Sequence, residues 1–130
     1  MRQLYKTLAA GGVVGILPDQ QPKAGDGVFA PFFGKQALSM TLLPRLAERT
    51  GATVLFAIAE RRYGSGASTC FDVHLIRAPT ALSGENLLDA VTAMNASVQA
   101  IAERDPAQYQ WTYKRFTLRP PGSGEITPYL

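Results

Sequence analysis

The stretch GILPDQQPKAGDGVFAPFFG, residues 15–34, decides how the front of this 130-residue chain is interpreted. Two valines precede it, so residues 13–17 form a short apolar run that is typical of a strand buried on both faces. The run stops at Pro18, and proline, glycine and aspartate predict a loop over residues 18–27. An extended segment over residues 28–33 follows and ends in two phenylalanines.

Helical patterns lie on both sides of this stretch. Residues 1–10 are predicted to be the end of a helix that stops at Gly11 and Gly12. A second helix is predicted from an N-cap at Thr41 to about Thr50, with Gly51 closing it. A third is predicted from a cap at Ser83 to the Asp105–Pro106 pair. Its apolar face consists of Leu87, Val91, Met94, Val98 and Ile101.

Two further strands are predicted over residues 53–60 and 69–78, joined by a hairpin connection at residues 63–66. The second strand alternates, with Phe71, Val73 and Leu75 on one face and Asp72 and His74 on the other. The strand–helix–strand order near the front favours a parallel pair, to which the hairpin adds an antiparallel strand. We therefore predict an α/β fold, a mixed sheet of about four strands flanked by helices.

The composition limits the possible classes of protein. A content of 46% hydrophobic and 18% charged residues fits one globular domain and is not that of a disordered chain. The net charge of +3 permits anionic partners without requiring them. No apolar run approaches the roughly 18 residues of a membrane span. Cys70 is the single cysteine, which excludes an internal disulfide, and we predict it to lie in the core.

Two groups of side chains near the front are candidates for a site. Asp19 and Gln20, with Gln21, follow the apolar run, and ligands of open α/β sheets collect beyond the carboxyl ends of strands. The alternative is a Pro-Asp turn in which Asp19 bonds its own backbone. Phe32 and Phe33 are either the lining of a groove for an acyl chain or part of the core.

A basic and aromatic segment near the C-terminus is the third candidate. Lys114, Arg115 and Arg119 are interleaved with aromatic residues, and Arg61 ends a strand. This pattern suits a membrane interface, a phosphorylated ligand or single-stranded nucleic acid. The alternative is an ordinary solvated surface with Trp111 in the core.

Two other features carry little chemistry. His74, the single histidine, has Asp72 on its own strand face, which is a poor geometry for a catalytic relay, so a structural or surface role is favoured. The Gly25-x-Gly27 pair has no helix start after it and does not predict a phosphate site.

Several stretches resemble, in order, the C-terminal half of the lipid A biosynthesis acyltransferases, the lauroyl and myristoyl transferases of Gram-negative bacteria. They are GGVVGILPDQQ, GVFAPFFGKQALSMT, LAERTGATVLFAIAERR and MNASVQAIAERDPAQYQWTYKRFTLRPPG. The most specific parts are the opening motif through Asp19-Gln20 and the run from Pro106 to Pro120. Gln21 stands where an acid is common in the family.

The resemblance implies a partial glycerolipid-acyltransferase-like fold and a reaction. The family moves a fatty acyl chain from acyl carrier protein to a hydroxyl of a phosphorylated glycolipid, at the cytoplasmic face of the bacterial inner membrane. A histidine paired with an acid acts as base, and that motif lies in the family's N-terminal half, which residues 1–130 do not resemble. No cofactor, metal or nucleic acid is implied.

We therefore expect a soluble single portion of an acyltransferase, inactive alone, with Asp19, Gln20, Phe32, Phe33, Arg61, Lys114, Arg115 and Arg119 in substrate binding. Self-association through an exposed apolar face is also expected. The alternatives are a non-catalytic lipid- or partner-binding module and a related glycolipid or glycerolipid acyltransferase.

Overall fold

The computed structural model describes residues 2–62 and 70–129. Helix α1, Arg2–Ala9, ends where predicted, and Gly11 adopts the positive φ of 76° that a helix C-terminus favours. Residues 13–17, predicted as a buried strand, form none, and Val13 and Leu17 are 93% and 65% exposed. That prediction was wrong because an apolar run becomes a strand only beside a partner edge, and none of the described residues pairs with this one.

The described residues contain four strands, which form two separate antiparallel hairpins instead of one mixed sheet. In the first, β1 (Gly27–Phe32) pairs with β2 (Lys35–Met40); in the second, β3 (Leu55–Arg62) pairs with β4 (Cys70–Arg77). The predicted parallel pair was wrong because β2 was not recognised, and β1 takes β2 as its neighbour. The predicted connection at residues 63–66 lies outside the described residues.

Helix α2, Leu42–Thr50, links the two hairpins and matches its predicted bounds. Thr41 is the N-cap residue, but its side chain makes no capping hydrogen bond. Gly51 ends the helix in the left-handed conformation with φ of 64°, and its N–H donates to the Ala47 carbonyl.

Helix α3, Leu87–Arg104, carries the core. Val91, Met94 and Val98 of the predicted apolar face are buried, and they pack with Phe32 of β1 and Leu82. The predicted cap at Ser83 was wrong: Ser83 ends a short 3-10 helix, Thr80–Ser83, and the true N-cap is Asn86. The Asn86 side-chain oxygen accepts hydrogen bonds from the backbone N–H groups of Leu88 and Asp89, which a serine three residues earlier cannot reach.

Strand β4 of the second hairpin alternates as predicted, but its apolar side chains point to solvent, whereas those of a core strand point inward. Phe71, Val73 and Leu75 are 51%, 69% and 66% exposed, whereas Asp72 and His74 on the other face are half-buried. Cys70, predicted to lie in the core, is exposed, because it is the first residue of β4 and lies at the end of the hairpin.

Candidate functional site

The opening motif packs against the C-terminal segment. Asp19, Gln20 and Gln21 are half-buried in the loop after residues 13–17. The Gln21 side-chain oxygen accepts a hydrogen bond of 3.1 Å from the backbone N–H of Leu118, 97 residues further along the chain. The two most specific stretches of the sequence pattern therefore meet in space.

The turn between β1 and β2 presents one of the two phenylalanines. Phe33 and Gly34 both have positive φ, 47° and 70°, as a two-residue type I′ hairpin turn requires. This conformation is unfavourable for phenylalanine, and it is held by a hydrogen bond of 2.8 Å from the Phe33 N–H to the Gln99 side chain. The turn thus keeps the Phe33 ring half-buried on the surface of the core.

An aromatic cluster surrounds this turn. The Phe33 ring centroid lies 4.8 Å from that of Phe32 and 5.2 Å from that of Trp111. Tyr109 and Phe116 add rings 6.5 and 6.1 Å from Phe32. Phe32 is a core residue, whereas Trp111 is 51% exposed, so the alternative of a buried tryptophan was wrong.

Arg115 lies at the base of the aromatic cluster and is only 4% exposed. Its Nη1 donates to the Leu38 carbonyl at 2.8 Å and its Nη2 to Ser39 Oγ at 3.2 Å. The guanidinium carbon is 5.1 Å from the Phe32 ring centre. Burial lowers the pKa of Arg115 from its ordinary value. Arg115 is thus an interior cation rather than a surface one.

Ser39 connects Arg115 to α3. Its hydroxyl accepts from Asn95 Nδ2 at 2.9 Å and from Arg115, and it donates to the Ala37 carbonyl at 3.0 Å. Asn95 Nδ2 also donates to the Pro31 carbonyl at 3.1 Å. These contacts use the single donor and both acceptor sites of the hydroxyl, so the network is complete at Ser39.

Asp19 contributes negative charge to this interior. The Tyr109 hydroxyl is buried without a hydrogen-bond partner, and burial raises the pKa of Tyr109 to about 12, with the charge of Asp19 acting in the same direction. The same Asp19 charge favours the protonated form of Arg115 and raises its pKa, against the larger effect of burial. The charge of Asp19 therefore acts on both Tyr109 and Arg115, although Asp19 forms no ion pair with Arg115, and this influence was not evident from the sequence.

The other basic residues are held at different places. Arg119 pairs with Glu125 and donates to the Gln36 carbonyl at 2.8 Å. The Lys114 ammonium lies 5.9 Å from the Tyr129 ring centre. Arg61 belongs to the second hairpin, where its N–H donates to the Gln108 side chain at 2.7 Å. Arg61, Lys114, Arg115 and Arg119 therefore do not act as one surface cluster, and their roles in substrate binding stay predictions.

His74 belongs to a charged cluster on the inner face of the second hairpin. Its Nε2 lies 2.8 Å from Glu60 Oε2, although without the alignment of a hydrogen bond. Arg104 of α3 binds both carboxylate oxygens of Glu60, at 2.7 and 3.0 Å. This hydrogen bonding lowers the pKa of Glu60, and Asp72 pairs with Arg62 instead of His74. His74 thus contacts an acid, but on a strand face that α3 covers in part.

The packing of β1 against β2 explains why residue 27 is a glycine, without any phosphate site. A Cβ at this position would lie 2.5 Å from the Ser39 carbonyl oxygen, so the close approach of β1 to β2 requires glycine. Within residues 2–62 and 70–129 no group of three His, Cys, Asp or Glu side chains could hold a metal ion. Over the same residues, no helix has both the length and the apolar character needed to cross a membrane.

The fold and site therefore define a mixed α/β unit in which two distant motifs meet at an aromatic cluster over a buried arginine. A sequence model of the bacterial lipid A biosynthesis acyltransferases matches residues 1–117. The chain belongs to this family, as the resemblance of its motifs indicated.

Two curated relatives match over almost the whole chain. The lipid A biosynthesis palmitoleoyltransferase of Escherichia coli (strain K12) is 30% identical over 131 aligned residues, which cover 97% of this chain and 40% of the relative. The lipid A biosynthesis acyltransferase of Shigella flexneri matches with the same identity and coverage. The chain thus spans about two-fifths of the length of these relatives, with the 40% coverage in each case.

Proposed function

We propose that this chain supplies the C-terminal part of an acyltransferase that transfers a fatty acyl chain from acyl carrier protein to a hydroxyl of a phosphorylated lipid A precursor. Family membership supports the acyltransferase role. The observation that carries the proposal is the meeting of the opening motif with the C-terminal motif through the Gln21–Leu118 hydrogen bond. Motifs 97 residues apart converge at one place, as the parts of a binding site do.

In this proposal the exposed part of the aromatic cluster, Phe33 and Trp111, faces the acyl chain, and Asp19 and Gln20 form the polar wall beside it. Phe32 and Arg115 act from beneath, because both are buried. Lys114, Arg119 and Arg61 are proposed to contact the phosphorylated acceptor, since a guanidinium group binds two phosphate oxygens at once and the Lys114 ammonium attracts phosphate as a point charge.

We further propose that the 130 residues alone transfer no acyl group. Activation of an alcohol needs an oriented base, which typically contributes about 100- to 10,000-fold. The only histidine in the sequence, His74, contacts Glu60 on the second hairpin rather than the aromatic cluster. Turnover by the purified chain that His74→Ala abolishes would contradict this part of the proposal.

A chimera tests the proposal. The stretch of the Escherichia coli palmitoleoyltransferase that aligns with this chain is replaced by residues 1–130, and acyl transfer from acyl carrier protein to a lipid A precursor is measured. We expect transfer above that of a chimera carrying Asp19→Asn, with both proteins equally folded by circular dichroism. A folded but inactive chimera, or equal turnover of the two, would argue against the proposal.

A second candidate, a non-catalytic lipid-binding module, is favoured by the outward apolar face of the second hairpin. The chimera separates the two candidates. A lipid-binding module would bind lipid without restoring acyl transfer.

A further inference from the structure

Helix α3 binds the backbone of the first hairpin at two points near its turn. Asn95 Nδ2 donates to the Pro31 carbonyl at 3.1 Å, and Gln99 Oε1 accepts from the Phe33 N–H at 2.8 Å. Asn95 and Gln99 share a face of α3 and are separated by roughly 6 Å along its axis. Pro31 and Phe33 are separated by roughly 6.6 Å at the rise of a strand. The two spacings agree, so one face of α3 holds the backbone on both sides of Phe32.

The Gln99 contact lies at the residue where the turn is least favourable. Phe33 has a φ of 47°, in the left-handed region that a phenylalanine adopts only at a cost in free energy. Glycine would adopt the same region without that cost. The local turn sequence therefore does not by itself hold this conformation, and Gln99 stabilises it from 66 residues further along the chain.

Glu103 determines which end of the Gln99 amide faces the turn. Gln99 Nε2 donates to Glu103 Oε1 at 2.8 Å, one helical turn further along α3. An ionised carboxylate accepts hydrogen bonds and donates none, so it binds only the NH2 group of the amide. The amide oxygen is left to accept from the Phe33 N–H. The half-buried Gln99 side chain thus has a partner for both of its polar atoms.

Trp111, the exposed ring beside Phe33, is positioned by separate contacts. Its Nε1 donates to the Pro106 carbonyl at 2.7 Å, and its ring lies edge to face with that of Tyr109 at a centroid distance of 4.8 Å. The Phe33 centroid lies 5.2 Å from that of Trp111. Because the segment after α3 holds Trp111 and Gln99 holds the Phe33 backbone, the placement of one ring against the other depends on Gln99.

We propose that Gln99 is a positioning residue for the acyl chain, acting through Phe33. The inference rests on the proposed function, which assigns Phe33 and Trp111 to acyl binding, and it adds a residue that the sequence patterns did not indicate. An apolar chain gains free energy in proportion to the apolar area that it buries, without directional bonds. Its affinity therefore depends on how closely the two rings are placed, and so on the side chain that holds the turn.

Tryptophan fluorescence tests the proposal, because Trp111 is the only tryptophan in the sequence. The purified 130-residue chain is titrated with sodium dodecanoate below its micelle concentration. We expect a saturable blue shift of the emission as the acyl chain shields the indole, which is 51% exposed. Gln99→Met keeps the length of the side chain but removes both hydrogen bonds. It should weaken binding roughly two- to tenfold, the range that one hydrogen bond to the turn supplies.

An exchange of two side chains separates positioning from packing. Gln99→Glu with Glu103→Gln conserves the net charge and both hydrogen bonds, since the introduced carboxylate accepts from the Phe33 N–H and from the introduced amide. We expect this double variant to bind dodecanoate like the unmodified chain. Gln99→Glu alone places two carboxylates one helical turn apart, so its affinity should be intermediate. Gln3→Met, at an exposed position of α1, is the control and should leave the affinity unchanged.

A double-mutant cycle tests the role of the turn without any ligand. In Phe33→Gly the residue at this position adopts a positive φ without cost, so the turn depends less on Gln99. Gln99→Met should therefore lower the melting temperature of the unmodified chain more than that of the Phe33→Gly variant. Equal decreases in the two backgrounds would mean that Gln99 does not act through Phe33 and would overturn the proposal.

Three results with dodecanoate would also overturn it, with circular dichroism showing the variants folded. The first is the absence of a saturable emission change in the unmodified chain. The second is equal affinity of the unmodified chain and Gln99→Met. The third is a double exchange that binds as weakly as Gln99→Met.

The chimera distinguishes this inference from the proposed function. A chimera without acyl transfer, together with dodecanoate binding that depends on Gln99, would reject the reaction and leave Gln99 as the positioning residue of an acyl site. In an active chimera, Gln99→Met should raise the KM for the acyl donor and leave the KM for the acceptor unchanged. An active chimera in which it changes neither would reject the inference alone.

Discussion

The two hairpins of this chain have the same local architecture and different relations to the core, to which the second contributes Phe56. In the first hairpin, Phe32 is 2% exposed and a buried arginine bonds the backbone of β2. In the second, Phe71 is 51% exposed, and the face toward α3 carries Glu60 and His74. Burial is therefore decided by what covers a hairpin rather than by the apolar alternation of its strands.

The comparison also separates two ways of using an arginine. Arg115 is an interior cation that hydrogen-bonds the Leu38 carbonyl and the Ser39 hydroxyl, and no carboxylate pairs with it among the described residues. Arg104 reaches across the surface and binds Glu60 through two hydrogen bonds. An interior cation contributes to stability only with its partners in place, whereas a surface pair is screened by water.

The largest expected difference between the hairpins comes from the same substitution in each. Phe32→Ala removes a buried ring and should lower the free energy of unfolding by about 3–5 kcal/mol. Phe71→Ala removes an exposed ring and should lower it by less than about 1 kcal/mol. Urea unfolding of both variants measures the two values. Equal losses would mean that the second hairpin is covered after all.

A smaller difference is expected from arginine substitutions. Arg115→Ala loses two hydrogen bonds and leaves a buried cavity, so we expect a loss of about 2–4 kcal/mol in urea unfolding. Arg62→Ala breaks an exposed pair with Asp72 and should cost less than about 1 kcal/mol. If Arg115→Met proves as stable as the unmodified chain, the packing of this side chain matters and its charge does not.

The first hairpin shows what the sequence could not reveal. Strand β2 was missed because a Phe-Gly pair is not a common type I′ turn sequence, and the positive φ of Phe33 depends on Gln99 and the neighbouring rings. The strand prediction for residues 13–17 was wrong for the opposite reason. Their apolar character is evident, but strand formation needs a partner edge that local sequence does not specify.

Sequence patterns predicted the secondary structure correctly where neighbouring residues alone determine it. Gly51 ends α2, the period of Val91, Met94 and Val98 gives the buried face of α3, and β4 alternates as predicted. For the candidate site, the sequence predicted which residues contribute but not how deeply each side chain is buried. Arg115 and Lys114 are adjacent in sequence, yet one is buried and the other exposed.

The burial of Tyr109, whose ring lies near Phe32 of the first hairpin, predicts an effect at alkaline pH. Tyr109 has its pKa raised from 10.0 to about 12, so the folded chain holds this proton more tightly than the unfolded chain. Its contribution to stability is present below pH 10 and is lost as the pH rises toward about 12. Tyr109→Phe should flatten the alkaline fall of the melting temperature. Tyr113→Phe, an exposed tyrosine of the same segment, should leave it in place.

The smallest expected effect concerns the charged cluster of the second hairpin at acid pH. The hydrogen bonds from Arg104 hold the pKa of Glu60 below its ordinary value of 4.5, so this carboxylate binds protons less readily in the folded chain than in the unfolded chain. Its contribution is present above pH 4.5 and is lost as the pH falls through the lowered pKa. Glu60→Gln should therefore flatten the acid fall of the melting temperature slightly, because water screens this exposed pair. Glu48→Gln, an exposed carboxylate on α2, is the control and should leave the acid slope unchanged. A large loss of stability on Glu60→Gln at neutral pH would contradict this account, since it would show that the charges of this cluster are as poorly hydrated as the buried Arg115.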